Sequence, residues 1–186
     1  MARATTPFSG LTVLDFSRYL PGGYATQVLA DLGATVIKCE DTGAGDFMRH
    51  DYPTMGNGIS YYITALGRNK KSVSLNLKDQ EVVDWFLKMA KEADVIVESF
   101  RPGVTKKLGI DYETVNKINP GIIYCSISGY GAEDPRSKKA QHDLNMQATS
   151  GYLSVNHGGT SPLHLCDLSS GMVAGQAILA ALYARE

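Results

Sequence analysis

Asp167 stands where a strand-like segment, Pro162 to Cys166, meets the first turn of an apolar helix running from Met172 to Tyr183. A carboxylate at such a junction lies beside amide N–H groups that have no helical acceptor and at the positive end of the helix dipole, so it stays ionised. Held in a crevice, an ionised carboxylate can attack a thioester or take a proton from an acidic C–H. The plain alternative is an ordinary N-cap, and the residues alone favour it. His142, followed by Asp143, is the second constellation, because imidazole changes charge near neutral pH and can give or take a proton. A loop histidine at a helix start is its commoner fate. Basic residues gather at strand ends: Lys38 closes one strand, Arg68, Lys70 and Lys71 precede the next, and Arg101, Lys106 and Lys107 follow another. Any one of them reads as a solvated surface charge, and the clustering is what suggests an anion site.

These residues need elements to hold them. Leu11 to Phe16 is a short apolar run of strand character, Tyr24 to Leu32 follows with helical spacing after Pro21-Gly22-Gly23, and Gly33 stops that helix. Thr35 to Cys39 is a second β-branched run. Strand, helix and strand imply a parallel pair joined by a right-handed crossover. Glu40 to Leu66 lacks a sustained period and reads as a long functional loop, in which Tyr61 or Tyr62 is placed to line a pocket or anchor the loop. Lys71 to Leu77 alternates as a half-buried strand, and Glu81 to Ala93 carries Val82, Val83, Phe86, Leu87 and Ala90 on one side. Val95 to Val97 and Ile122 to Ser126 complete the strands, with a short helix at Tyr112 to Lys117 between them. A helix over Asp143 to Tyr152 and a Gly-rich turn at His157 lead to the Asp167 junction. The expectation is an α/β fold with a Rossmann-like parallel sheet and flanking helices. Gly22-Gly23 does not complete a G-x-G-x-x-G fingerprint, so nicotinamide or flavin binding is not indicated.

The chain has 186 residues, 44% hydrophobic and 20% charged, with 18 Lys+Arg against 19 Asp+Glu. That suits one packed domain, and a net charge of −1 supplies no field for a nucleic-acid backbone, so no nucleic-acid partner is expected. The three cysteines, Cys39, Cys125 and Cys166, are far apart without a Cys-x-x-Cys pair, so neither a disulfide framework nor a metal site is expected. No apolar run approaches the roughly 18 residues that a spanning helix needs. With no leader apparent at the N-terminus, no membrane partner and a cytoplasmic location are expected.

Several stretches together resemble the class III CoA-transferases, whose relatives include the α-methylacyl-CoA racemases. They are GLTVLDFSRYLPGGYATQVLADLGATVIKCE at 10–40, NKKSVSLNLK at 69–78, VESFRPGVTKKLGIDYETVNKINPGIIYCSISGYG at 97–131, HDLNMQATSG at 142–151 and CDLSSGMVAGQAILAALYARE at 166–186. The resemblance covers nearly the whole chain in consistent order. It implies that residues 1–186 form a CoA-binding α/β domain corresponding to the N-terminal half of a protein about twice as long. In that half-chain the C-terminal small domain and the chain's return to the large domain are absent; the expected stop inside or at the end of a helix, without a C-terminal cap, agrees. Full-length members resemble interlaced homodimers.

The resemblance also implies roles. Asp167 falls on the family's catalytic aspartate, which attacks the acyl-CoA to give an acyl–aspartyl anhydride and then an aspartyl-CoA thioester, with coenzyme A as a substrate and no resident cofactor or metal. The partners implied are an acyl-CoA and a carboxylic acid. Family register places Lys38, Leu75, Asn76, Lys78, Ser99, Phe100, Arg101 and Lys107 around the nucleotide, and Gln141, Asp143 and Asn145 near the pantetheine and thioester. His142 divides the possibilities. The racemases carry a His-Asp motif whose histidine is one of two bases at the α-carbon, and His142-Asp143 is in register with it. Transferases commonly place an aromatic residue there, whereas Met146-Gln147-Ala148 and Ser150-Gly151 are more transferase-like. The expected activity is therefore CoA transfer between carboxylic acids through Asp167. The alternatives are a 2-methylacyl-CoA racemase using His142 and Asp167, and a CoA-binding or inactive half-length remnant.

Overall fold

The computed structural model describes residues 6–185. Five strands, β1 (Thr12–Phe16), β2 (Thr35–Glu40), β3 (Lys70–Ser74), β4 (Val95–Glu98) and β5 (Ile123–Ser126), form one sheet in the order β3-β2-β1-β4-β5. Every pairing is parallel. The strand order reverses at β1, so the carboxyl ends of β1 and β4 flank a crevice, the place where open α/β sheets receive ligands.

Both faces of the sheet are covered, as a parallel sheet requires. Period-2 alternation sends Val13, Val36, Val95 and Val97 toward α1 (Tyr19–Asp31) and α8 (Leu165–Arg185), where they meet Leu29, Ile178 and Leu182. Leu14, Phe16 and Ile96 pack on the other side against Val83, Phe86 and Ala90 of α3 (Gln80–Glu92) and Val115 of α5 (Tyr112–Asn116). Phe86 is fully buried and meets Phe16 edge-on at a 5.1 Å centroid separation, a burial that contributes about 2–3 kcal/mol. Asp79 caps α3 by accepting the Glu81 N–H at 3.0 Å.

Several expected boundaries move. Helix α1 begins at Tyr19, not Tyr24, with Pro21 in its first turn, where a missing N–H leaves nothing unpaired. Gly22 serves a close approach: a Cβ there would lie 2.0 Å from Ser17 Cβ, at the end of β1. The expected loop 40–66 contains a 3₁₀ turn, Phe47–Arg49, and α2 (Tyr61–Leu66), which Ser60 caps through Tyr62 N at 3.2 Å. An unexpected short helix, α4 (Val104–Leu108), follows β4. The single helix expected over Asp143 to Tyr152 is broken by Gly151 at φ +84° into α6 (Asp143–Thr149) and α7 (Tyr152–Val155).

The segment before Asp167 is not a strand, and α8 starts at Leu165 rather than Met172. Ser169 and Ser170 return their hydroxyls to the carbonyls of Leu165 and Cys166 at 2.6 Å each, so the polar run Asp167-Leu168-Ser169-Ser170 is accommodated inside the helix. Gly171 lets α8 close on α1, since a Cβ there would sit 2.6 Å from the Pro21 carbonyl oxygen. Contrary to the expectation that no run is long enough, α8 meets the length and hydropathy of a membrane-crossing helix. Here its Ala174, Gly175, Ile178 and Leu182 face is buried against the rest of the fold, while Met172, Val173 and Tyr183 are exposed.

Candidate active site

The turn from β1 into α1 is built on buried charge. Asp15, wholly buried, accepts Ser17 N–H (3.0 Å), Ser17 Oγ–H (2.5 Å) and Thr26 Oγ1–H (2.6 Å), and lies 3.2 Å from Lys70 Nζ. Burial pushes its carboxyl up, yet Lys38, Lys70 and the two hydroxyls outweigh this and hold it below the ordinary carboxylate range. Lys38 lies in the same interior, 4% exposed, with Nζ 2.7 Å from Asp46 and 3.7 Å from Asp15, and it donates to the Ser17 carbonyl. Lys38 therefore does not present its charge to a nucleotide, contrary to the family register. Its length and position at the buried centre of β2 turn it inward, where Asp15 and Asp46 compensate it. Asp46 in turn accepts the Tyr19 and Met48 N–H groups at 3.2 and 3.0 Å, fixing Tyr19 in the left-handed region at φ +61°.

Two clefts open at this edge. The first, about 520 Å³, is lined by Arg18, Asp41, Leu75, Asn76, Lys78 and Phe100 among others. The second, about 1060 Å³, holds Ser99, Phe100, Arg101, Gln141, His142, Asp143, His164 and Asp167 in its wall. Arg18 and Phe100 border both. Arg18 was not among the expected ligands, although a cation two residues past β1 at the strand-order reversal was legible as a signal. Its guanidinium lies over the rings of Phe47 (5.2 Å) and Phe100 (5.9 Å) and 2.8 Å from Asp41, and its N–H donates to Ser99 Oγ at 2.8 Å. Lys107 lines neither cleft and sits exposed in the last turn of α4.

Among the residues expected at the pantetheine, Gln141 accepts the Gly129 N–H from the loop after β5. Asn145 also lines neither cleft. Its Oδ1 accepts His142 N–H at 2.6 Å and its Nδ2 donates to the Ala140 carbonyl at 3.1 Å, so it shapes the start of α6. Asp143 is 8% exposed and turns its carboxylate to the head of α8. Oδ1 accepts the N–H groups of Cys166 (2.7 Å) and Asp167 (3.2 Å), and Oδ2 accepts Gln147 Nε2–H (2.5 Å). It is the cap of α8, the helix that carries Asp167, supplied from α6, and not a free ligand. Tyr62, not Tyr61, lines the second cleft, edge-on to His164 at 6.0 Å.

Asp167 sits in the first turn of α8, half-buried, with its side chain in the second cleft. Burial raises its carboxyl above the ordinary range, the Asp143 carboxylate adds to that, and His164 and His142 oppose it. His142 packs edge-on against Tyr19 at 6.0 Å, across the cleft mouth. Asp143, His164 and Asp167 bring one side-chain ligand atom each within 4.8 Å of one another. The three hydrogen bonds already made by Asp143 make this a charge cluster around Asp167. The three cysteines are free thiols, and burial pushes Cys39 up to about 12 and Cys125 up to about 11, so both stay protonated at neutral pH.

A parallel sheet with a reversal-point crevice, flanked by helices, one of which carries a carboxylate in its first turn, defines an α/β fold of the kind that receives ligands at that crevice. The model of CoA-transferase family III matches residues 8–186, and the chain belongs to that family. It is 42% identical over 194 residues to acetyl-CoA:oxalate CoA-transferase of Acetobacter aceti, covering 100% of this chain and 49% of the relative. It is 40% identical to succinyl-CoA:glutarate CoA-transferase of Mus musculus over 188 residues, 96% of this chain and 42% of that one. The crystal structure of Rv3272 from M. tuberculosis superposes with a TM-score of 0.90 at 36% identity, over 97% of this chain and 52% of that chain. A CAIB/BAIF family protein from Brucella suis gives 0.89 at 33% identity, over 97% and 50%. The chain thus spans about half the length of the curated relatives it matches.

Proposed function

We propose that this chain carries the CoA-handling half of a CoA-transferase in which Asp167 is the nucleophile. The observation that carries the reading is the placement of the Asp167 carboxylate at the head of α8, in the second cleft, which shares the Arg18–Phe100 wall with the first cleft, able to take the nucleotide. A carboxylate oxygen of Asp167 attacks the thioester carbon, the C–S bond breaks, and the electron pair leaves on the CoA thiolate. The thiolate then attacks the Asp167 carbonyl of the mixed anhydride and releases the donor carboxylate, leaving an aspartyl-CoA thioester. An incoming carboxylate reverses these two steps and departs as the new CoA ester. No net proton transfer is required, and each step exchanges groups of similar energy.

The names of the relatives point to oxalate and glutarate as acceptors with which to begin. A dicarboxylate in the second cleft would meet Arg101 and Lys139, which line it with Asp167. Incubating an acyl-CoA with labelled free carboxylate in D₂O tests the reading: label enters the CoA ester, and Asp167→Asn lowers the exchange by at least about 10³-fold. Deuterium at the α-carbon without label exchange would instead establish the racemase chemistry, which the presence of His142 in the same cleft favours as the second reading. Full exchange by Asp167→Asn would overturn both.

A further inference from the structure

We propose that Gln147 is a positioning residue for Asp167: one buried amide that holds Asp143 and Ser161 at once and so fixes both ends of the segment that brings the Asp167 carboxylate into the cleft. The role in catalysis rests on the transferase reading above; the clamp itself does not. Gln147 lies in α6, four residues after Asp143, and is 1% exposed. Its Nε2–H donates to Asp143 Oδ2 at 2.5 Å, and its Oε1 accepts the Ser161 N–H at 2.9 Å. Through its other oxygen Asp143 accepts the Cys166 and Asp167 N–H groups, at 2.7 and 3.2 Å. Residues 161–167 are therefore pinned in front by Gln147 and behind by Asp143, and a hydrogen bond joins the two pins.

Burial of its own does little to hold that segment. Pro162, Leu163 and His164 are exposed, Ser161 and Leu165 to Asp167 are only partly buried, and Thr160 to His164 line the second cleft with Asp167. The polarity of the two partners dictates an amide between them. A backbone N–H can only donate, so Ser161 needs an acceptor; the Asp143 oxygen accepts, so it needs a donor. Glutamate has the same length, yet in its ionised form it offers no donor and sets a second carboxylate against Asp143. Protonated, it supplies the missing donor. Exchanging the two residue types, Asp143→Asn together with Gln147→Glu, reverses the middle hydrogen bond and keeps the others. The introduced asparagine donates to the introduced glutamate and still accepts Cys166 and Asp167, while the glutamate's second oxygen accepts Ser161.

The test follows the Ser161, Cys166 and Asp167 amides by ¹H–¹⁵N NMR at about pH 5 and about pH 8, with circular dichroism to check that each variant is folded. Burial and the adjacent carboxylate raise the carboxyl introduced by Gln147→Glu, so it is protonated at the lower pH and ionised at the higher. The three amides should match wild type at the lower pH and move away from it at the higher. The double exchange should keep them near wild type at both. His142, His164, Cys166 and Asp167, the other titratable groups gathered around Asp143, are common to all these forms, so wild type at the same pH is the reference. In the labelled-carboxylate exchange at the higher pH, Gln147→Glu should lower kcat about 10²-fold with little change in KM for the CoA ester, and the double exchange should recover most of it. Unmoved amides in folded Gln147→Glu at the higher pH overturn the clamp, and so does a double exchange that fails to fold or lies no closer to wild type than the single variant. Moved amides with undiminished exchange overturn the role in catalysis. Moved amides with no exchange in any form, wild type included, sink the transferase reading and leave the clamp standing.

Discussion

Arg18 and Lys38 show how far a cation's role depends on where its side chain goes. Lys38 is compensated in the interior, while Arg18 stands on the wall between the two clefts with its guanidinium over two rings. Arg18→Ala should therefore weaken CoA binding about tenfold, read by calorimetric titration, with the fold intact by circular dichroism. Glu40 gives a pH prediction. Hydrogen bonds from Arg49 Nε (2.6 Å) and Nη2 (2.5 Å), set against burial, hold its carboxyl down at about 2. A depressed carboxyl binds fewer protons folded than unfolded, so the stability it contributes is complete above the unfolded value near 4.5 and is lost as pH falls toward 2. Arg49→Ala should lower the melting temperature at pH 7 and reduce the loss between pH 4.5 and 2, measured by calorimetry across that window. Asp167 has the opposite sign: burial and the Asp143 carboxylate raise its carboxyl, so ionisation costs stability as pH rises through the folded value.

At the scale of elements, α8 decides the site, because it carries Asp167 and is seated by two contacts that sequence order conceals. Asp143 of α6 caps it from 24 residues away, and Gly171 allows its backbone to reach Pro21 of α1. Gly171→Val would force a Cβ to 2.6 Å from the Pro21 carbonyl oxygen, a backbone atom and not the free end of a flexible side chain, so the two helices must move apart. The expected result is a loss of about 1–3 kcal/mol in denaturant unfolding, with exchange activity lowered further because Asp167 moves with the helix. All five strands and the long helices α1, α3 and α8 are legible in the sequence in outline, the strands as short β-branched runs, α3 by its one-sided apolar period and α1 and α8 as longer apolar stretches. The first turns of α1 and α8 are not. Pro21, Gly22, Ser169 and Ser170 look like breakers in isolation, and their acceptance depends on Ser17, Pro21 and the local carbonyls that they meet.

Across the whole molecule, a buried charge network ties β1, β2, β3 and the loop after β2 to the mouth of the clefts. Asp15, Lys38, Asp46 and Lys70 form it, and Asp46 carries the Tyr19 backbone. Removing one cation strands its partners away from water, so Lys38→Met should cost about 3–5 kcal/mol in denaturant unfolding, well beyond the value of a surface pair. A change below about 1 kcal/mol would show that water reaches Asp15 and Asp46. The sequence by itself determined the alternating α/β order and the parallel sheet, because hydrophobic period is a local property that survives in one dimension, while Asp167 and His142 stood out from ordinary helix-start residues only through the family resemblance. Only the tertiary structure decided that Lys38 points inward, that Asp143 caps a helix, that Arg18 joins the two clefts and that His164 stands beside Asp167. Each of those depends on which strand ends and helix heads meet in space, and burial, hydrogen bonding and charge proximity are settled by that meeting.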